Sequence, residues 1–166
     1  MLGDIYEKLG DFQEAKKQYE LVDFIGYLSQ INQQIHNRDL ALFYADHDIK
    51  LAESLDLARK ELEVRRDVYT WDVFAWSLYK NGKLTEAVDA IVRALAQGTR
   101  DAQILFHAGM IYEKTGDTAK AKSFLQQALD TNPHFHVLYS DLATQTLVRL
   151  SQKETSPDAL VGPHVR

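Results

Sequence analysis

Residues 101–135 have the sequence DAQILFHAGMIYEKTGDTAKAKSFLQQALDTNPHF, and this stretch decides the fold. Its apolar residues recur at the spacing of two amphipathic helices. Gly116 stands between the helices, where a left-handed residue can end the first one, and Asp117 can cap the second. We therefore predict a helical hairpin. Gly109 and Ala121 are small because the two helices must approach closely at these positions.

The same pattern occurs about 34 residues earlier in the chain, a spacing typical of stacked helical hairpins. Residues 68–101 align with residues 102–135 without a gap, so that Ala75 corresponds to Gly109. An incomplete copy begins the chain, with the same mutual offsets at Gly3, Tyr6, Gly10, Asp11, Ala15 and Tyr19. Residues 37–67 form a fourth, degenerate copy whose turn at His47 lacks the usual glycine.

This period resembles the tetratricopeptide repeat, whose usual order is Trp, Leu, Gly, Tyr, Ala, Phe, Ala and Pro at fixed offsets. Residues 102–135 match that order at Gly109, Tyr112, Ala121, Ala128 and Pro133. Residues 68–101 match it at Trp71, Ala87 and Ala94. The resemblance implies an all-α fold, a right-handed superhelical solenoid of antiparallel helix pairs. It also implies that Trp71 is buried between the helices of its own repeat.

We expect the repeat domain to span residues 1–150. Its predicted divisions are a truncated repeat at 1–25, a connector or extended helix at 26–36, the degenerate repeat at 37–67, regular repeats at 68–101 and 102–135, and a capping helix at 136–150. A capping helix covers the last apolar face of a solenoid. Because the apolar period ends at Ser151, residues 151–166 are expected to form a flexible tail. The truncated repeat favours a fragment of a longer protein; the alternative is a natural chain with a short first helix.

The composition excludes several classes of protein. A hydrophobic content of 45% and a charged content of 26% are ordinary for a soluble folded domain. The net charge of −5 argues against binding to a nucleic-acid backbone, and the absence of cysteine excludes disulfides and thiolate zinc sites. No apolar run approaches the ~20 residues that span a bilayer, so we expect no membrane insertion. We expect a cytoplasmic protein, although an upstream targeting segment would lie outside these residues.

The sequence contains no recognisable catalytic or metal-binding motif. None of the six histidines has a partner at metal-ligand spacing, so each one, including His107, is expected at the surface or half-buried. The sequence has neither a glycine-rich phosphate loop nor a nucleophile elbow. Asp46, His47 and Asp48 cluster in a turn, where such residues commonly make local hydrogen bonds. We therefore expect no enzyme activity, no metal and no cofactor.

The resemblance implies a binding surface in place of a catalytic site. In this family the first helices of successive repeats line a concave groove. The groove positions of the family that we expect to contact a partner carry over to Arg38, Leu42, Tyr69, Asp72, Trp76, Tyr79, Lys80, Phe106, Met110 and Lys114, and Gln103 occupies a further groove position. Four of these side chains, Trp76, Tyr79, Phe106 and Met110, would form an apolar strip inside a charged rim, which is the usual anatomy of a binding surface.

The predicted function is therefore a non-catalytic scaffold that binds a protein or peptide partner in this groove. An extended apolar peptide or an amphipathic helix would suit the apolar strip. The carboxylate clamp of some family members is in doubt, because aromatic side chains and Met110 occupy the groove here. Two other interpretations stay open. The segment could be a structural or self-associating spacer, for example a homodimer, whose groove is filled by itself. It could also belong to an enzyme whose catalytic domain lies outside these residues.

Overall fold

The structure is a computed structural model that describes residues 1–31 and 37–155, and within these residues its regular elements are all α-helices. The helices are α1 (Leu2–Lys8), α2 (Phe12–Ile31), α3 (Asn37–Asp46), α4 (Leu51–Val64), α5 (Val68–Lys80), α6 (Leu84–Leu95), α7 (Ala102–Thr115), α8 (Thr118–Thr131) and α9 (Tyr139–Thr155). The first eight form four antiparallel pairs, and α9 packs against α8. The predicted right-handed solenoid of helix pairs is confirmed.

The regular repeats owe their shape to the residues that the sequence singled out. Gly116 has φ 86° and ends α7 in the left-handed conformation, which costs a glycine little. The Asp117 side chain accepts a hydrogen bond of 3.1 Å from the backbone N–H of Lys120 and so caps α8. A Cβ atom on Gly109 would lie only 2.6 Å from Cγ of Leu125. The predicted close approach of α7 and α8 is therefore confirmed.

The turn between α3 and α4 makes a left-handed bend without glycine. Asp48 has φ 54° and Lys50 has φ 46°, a conformation that costs roughly 1–2 kcal/mol for a residue with a side chain. Ion pairs hold both residues in place. Lys80 in α5 lies 2.9 Å from Asp48, and Lys50 pairs with Asp23 in α2.

Two element boundaries differ from those expected. Helix α2 continues to Ile31, so residues 26–31 follow the extended-helix alternative, and the rest of the expected connector, residues 32–36, lies outside the described residues. Helix α9 continues about one turn beyond Ser151, whose hydroxyl donates to the backbone oxygen of Leu147 at 2.9 Å. A helix in contact with its neighbour can extend through polar residues without apolar periodicity. The remainder of the expected tail, residues 156–166, also lies outside the described residues.

The two tryptophans differ from expectation in opposite directions: Trp76 is more buried than expected, and Trp71 is less buried. Trp76 is 1% exposed and belongs to the core between α3, α5 and α7. Trp71, which we expected to be buried, is only half-buried. Its ring packs edge-on against Phe74, and the Arg93 guanidinium of α6 lies 4.7 Å from its centroid. Trp71 thus packs at the edge of the core between α5 and α6, with part of its ring in solvent.

The inner face of the superhelix is closed by the C-terminal part of the domain. The Tyr139 hydroxyl at the start of α9 donates a hydrogen bond of 2.7 Å to the backbone oxygen of Asp46 in α3. The Lys8 ammonium in α1 donates one of 3.0 Å to the backbone oxygen of Val137. Lys8 also lies 3.1 Å from the carboxylate of Asp141 in α9. The last helix therefore contacts the first and third helices across the concave side.

Candidate partner-binding site

The ten residues expected to contact a partner differ widely in exposure. Asp72, Trp76, Phe106 and Met110 are buried; Arg38, Leu42, Tyr79 and Lys80 are half-buried; Tyr69 and Lys114 are exposed. The apolar strip that was expected to be open is therefore part of the core, except for Tyr79. Its buried members are not accessible to a partner in this structure.

Residues from the C-terminal part of the chain cover the strip. The Tyr139 ring stacks on Phe106 with 4.9 Å between the ring centroids, and the Phe135 ring lies 5.4 Å from that of Phe106. The Tyr139 ring also meets Trp76 edge-on at 5.9 Å. Because the superhelix curls, the segment that precedes α9 and the first turn of α9 enter the groove at the level of α7.

A buried polar network lies beneath these rings. The indole N–H of Trp76 donates to Asp46 Oδ1 at 2.8 Å, and burial raises the pKa of the Asp46 carboxyl. The His107 ring stacks on Trp76 with 4.2 Å between centroids, and its Nδ1 lies 2.9 Å from Asp72 Oδ1. His107 is fully buried, so the prediction that it lies at the surface or is half-buried is wrong. Its buried carboxylate partner, one repeat earlier on α5, accounts for this burial.

A second polar bridge joins α1 to α3. His47 Nε2 lies 2.8 Å from Asp4 Oδ1, and His47 Nδ1 lies 2.8 Å from the backbone oxygen of Phe43. The hydrogen bond with His47 holds the pKa of Asp4 well below its usual range. Burial alone would lower the pKa of His47, but its hydrogen bonds to Asp4 and to Phe43 outweigh burial, and the pKa is raised. With an acceptor at each ring nitrogen, a protonated His47 can donate to both.

Two adjoining cavities, of about 260 Å³ and about 470 Å³, are open on the concave face. They share Asp39, Leu42 and Gln103. The smaller cavity is also lined by Arg38, Tyr69, Asp72, Val73, Asp101 and Ile104, and the larger by Met1, Asp4, Phe43, Asp46, His47 and residues 134–137. We call the two cavities together the open groove.

The open groove brings together only some of the predicted contacts. Arg38, Leu42, Tyr69 and Asp72 line it, together with Gln103. The expected contacts that do not line it are Trp76, Tyr79, Lys80, Phe106, Met110 and Lys114. Asp39, Phe43 and the residues before α9 were not among the predicted contacts. Asp39 and Phe43 flank Leu42 on α3 and could have been found from that helix, but the approach of residues 134–137 has no local signal in the sequence.

The charge of the open groove is mainly acidic. Its one arginine, Arg38, lies 3.7 Å from Asp39 and 3.8 Å from Asp67, so its charge is largely neutralised. The guanidinium also lies over the Tyr69 ring, 5.9 Å from its centroid. Asp39 is exposed, and Asp101 stands half-buried at the start of α7. A ligand that enters the open groove therefore meets more carboxylates than unpaired cations.

Two further features were sought in the described ranges, residues 1–31 and 37–155. In them, no three or more His, Asp or Glu side chains are grouped so as to hold a metal ion. Their helices also include none with the length and apolar character needed to cross a bilayer.

Comparisons with known proteins agree with this architecture. A family model described as tetratricopeptide repeat matches residues 73–134, and a second model with the same description matches residues 1–23. No curated protein matches the chain in sequence. Among the solved structures that match, a crystal structure of MamA covers 93% of this chain and 95% of its own, with a TM-score of 0.52 and 20% identity, a likeness of fold alone. The chain belongs to the tetratricopeptide repeat family.

Proposed function

We propose that this chain is a non-catalytic protein–protein interaction scaffold that binds an extended peptide segment of a partner in the open groove. Tetratricopeptide repeats generally serve as scaffolds for protein–protein interaction, and the fold of this chain is of that kind. The observation that carries the proposal is the pair of adjoining cavities that meet at Leu42. They are space on the concave face that the described side chains leave unfilled.

The shape of the open groove favours an extended peptide over a helix. A helix with its side chains is about 10–12 Å across, which is too wide for a cavity of about 260 Å³. That cavity can take a single large apolar side chain against Leu42, Val73 and Ile104. The carboxylates of Asp39 and Asp101 at its mouth favour a basic neighbour. We therefore propose a peptide that places one apolar anchor next to a lysine or arginine.

A second candidate function also has a specific observation in its favour. Phe135 and Tyr139 pack on Phe106 inside the concave face, as they would in a spacer whose groove is filled by its own chain. Under that alternative the remaining cavities have no peptide ligand. The cytoplasmic location expected from the sequence stays a prediction under both candidates.

A peptide selection tests the proposal. Random peptides displayed on phage are selected on the immobilised chain, and the enriched peptides are titrated by fluorescence anisotropy against the parent chain, Leu42→Asp and Tyr69→Asp. The matched control is Val64→Asp, since Val64 is 69% exposed on α4 and lies outside the open groove. Circular dichroism verifies that every variant retains its helices.

We expect the enriched peptides to share an apolar residue beside a lysine or arginine. Leu42→Asp should weaken their binding by at least about tenfold, which corresponds to about 1.4 kcal/mol, whereas Val64→Asp should leave it unchanged. Peptides that bind the parent and Leu42→Asp equally would show that recognition occurs elsewhere. A selection that enriches no peptide would favour the spacer.

A further inference from the structure

The solvent-facing side of α2 differs from that of the other second helices. Ala15 and Ala121 are buried at the same repeat position of α2 and α8, so counting from them aligns the two helices. On the exposed side, Leu21 of α2 aligns with Gln127 of α8 and with Arg93 of α6. Phe24 of α2 aligns with Asp130 of α8 and with Ala96, the residue just after α6. All of them are exposed. Where α6 and α8 place mostly polar or small residues, α2 places leucine and phenylalanine.

Neighbouring repeats do not explain this difference. Helix α6 is flanked by described repeats on both sides, and Arg93 and Ala96 are nevertheless exposed. The equivalent positions of α2 would therefore remain exposed next to a further repeat. The apolar character of Leu21 and Phe24 is not required by the solenoid and needs another cause.

The apolar surface extends along the second half of α2. Leu21, Phe24 and Leu28 follow the spacing of one helix face. With Val22 and Tyr27 they form what we call the α2 patch, whose side chains are 37–59% exposed. The one charged residue between positions 21 and 31 is Asp23, which points towards α3 and accepts a hydrogen bond of 2.6 Å from the Tyr44 hydroxyl. A helix that is apolar on most of its sides is normally buried.

We propose that the α2 patch is a homodimer interface, in which the α2 helices of two copies pack against each other about a two-fold axis near Phe24. The patch offers no exposed charge, so its partner must present an equally apolar surface. Beyond the α2 patch and its neighbour Ile25, the exposed large apolar side chains of the described residues form two groups. One group lies in and around α1, at Met1, Leu2, Ile5, Leu9 and Phe12, and the other is scattered over different helices, at Val64, Tyr69, Val92, Leu142 and Val148. A two-fold axis pairs the patch with its own copy in a closed, self-complementary contact, whereas pairing it with the α1 group of another copy would be heterologous and would leave an unmatched surface on each chain.

The area and charge of the patch agree with this occupant. Five large side chains, each about half exposed, present an apolar area of a few hundred Å², the size that marks interaction sites. Such an area can form the core of an interface to which each partner contributes about 800 Å². A lipid surface is a poorer match, because helices that lie on membranes carry many lysines or arginines and the patch contains none. None of the patch residues lines the open groove, so a dimer would keep two open grooves.

Sedimentation equilibrium over two decades of protein concentration tests the proposal. The test variant is Leu21→Gln with Phe24→Asp, which gives α2 the residues that α8 carries at the same positions. The control is Val92→Gln, which removes a single exposed apolar side chain from α6, 51% exposed in the parent. The average mass of the parent and of the control should rise from one chain to two with concentration. The double variant should keep the mass of one chain.

A cross-linking experiment tests the position of the axis. The chain contains no cysteine, so Phe24→Cys introduces the one thiol of the protein, and Gln127→Cys is the matched control at the same repeat position of α8. Under mild oxidation, Phe24→Cys should form a disulfide-linked dimer at least about tenfold faster than the control. Equal rates for the two variants would overturn the proposed interface. So would a parent that keeps the mass of one chain throughout, or a double variant that dimerises like the parent.

Discussion

The indole nitrogen of Trp76 donates a hydrogen bond of 2.8 Å to Oδ1 of Asp46. The same indole ring stacks on Tyr79 at 4.7 Å and on His107 at 4.2 Å between ring centroids. A single buried side chain thus contacts residues of α3, α5 and α7. Its packing and its hydrogen bond should make separate contributions to stability.

Substitutions of Trp76 separate these contributions. We expect Trp76→Phe to lower the free energy of unfolding by about 1–3 kcal/mol, because Asp46 loses its donor inside the fold. We expect Trp76→Ala to lower it by about 3–5 kcal/mol, because a large cavity is added. Urea unfolding followed by circular dichroism measures both, with Tyr69→Phe at an exposed position as the control. A value for Trp76→Ala within about 0.5 kcal/mol of the parent would contradict the burial of this ring.

A methyl group added at Gly109 should strain the last hairpin. We expect Gly109→Ala to lower the free energy of unfolding by about 1–3 kcal/mol, because the new Cβ would lie 2.6 Å from Cγ of Leu125. In a Leu125→Ala background the same change should cost less, because the contact with Cγ is gone, alanine favours a helix over glycine, and only the backbone nitrogen of residue 125, at 3.2 Å, stays close. A double-mutant cycle measures this coupling. Equal effects of Gly109→Ala in both backgrounds would show that the two residues do not press on each other.

The contribution of the buried pair of His107 and Asp72 to the free energy of unfolding should require both side chains. We expect Asp72→Ala to destabilise the chain by about 3 kcal/mol, since His107 is fully buried and would lose its hydrogen bond at Nδ1. The joint change to Asp72→Leu and His107→Leu should cost less than Asp72→Ala, because two apolar side chains leave no polar atom unpaired. The exposed Asp89→Ala is the control in the same thermal unfolding series. A double variant less stable than Asp72→Ala would argue against this account.

The contact between His47 and Asp4 should make stability depend on pH. The pKa of His47 is raised in the fold, so its contribution is fully present below the ordinary histidine pKa of about 6.5 and is lost as the pH rises through the raised value. The pKa of Asp4 is lowered, so Asp4 stays ionised across that window and loses its contribution only in strong acid. The advantage of the parent over His47→Gln should therefore be largest near pH 6 and shrink towards about pH 9.

Thermal unfolding of the parent and of His47→Gln at each pH measures this advantage. The double variant with Asp4→Asn and His47→Gln shows how much of the pH dependence comes from other groups, among them the half-buried Asp46. A difference between parent and His47→Gln that grows as the pH rises would have the wrong sign.

The local features of the fold followed from the sequence because their causes are local. Gly116, Asp117 and Gly109 act through a turn, a cap and a contact inside one hairpin, and each depends on residues fewer than about twenty positions away. The repeat period then fixed how successive hairpins stack. The pair of Asp72 and His107 could also have been found, because first-helix residues about one period apart lie on adjacent helices.

The occupancy of the groove did not follow in full, because part of it depends on helices that are not adjacent in the stack. The family positions gave Phe106 and Trp76 a concave orientation. Tyr139 lies about one period after Phe106 and stacks on it from the adjacent helix, whereas the curl of the superhelix brings Tyr139 against Trp76, about two periods earlier. That curl is the sum of small rotations between hairpins, and no motif within a single repeat records it. The α2 patch was not predicted, for a different reason. Leu21 and Phe24 stand out only in a comparison of the exposed residues at equivalent positions of the repeats.

The closure of the superhelix changes how the molecule should come apart. In an open solenoid each hairpin depends only on its neighbours, so the two termini fray independently. Here Tyr139 of α9 contacts Asp46 of α3, and Asp141 of α9 pairs with Lys8 of α1 at 3.1 Å. Loss of α9 therefore also removes contacts from α1 and α3. The first and last helices should behave as one cooperative unit, and their amide hydrogens should exchange with solvent in step.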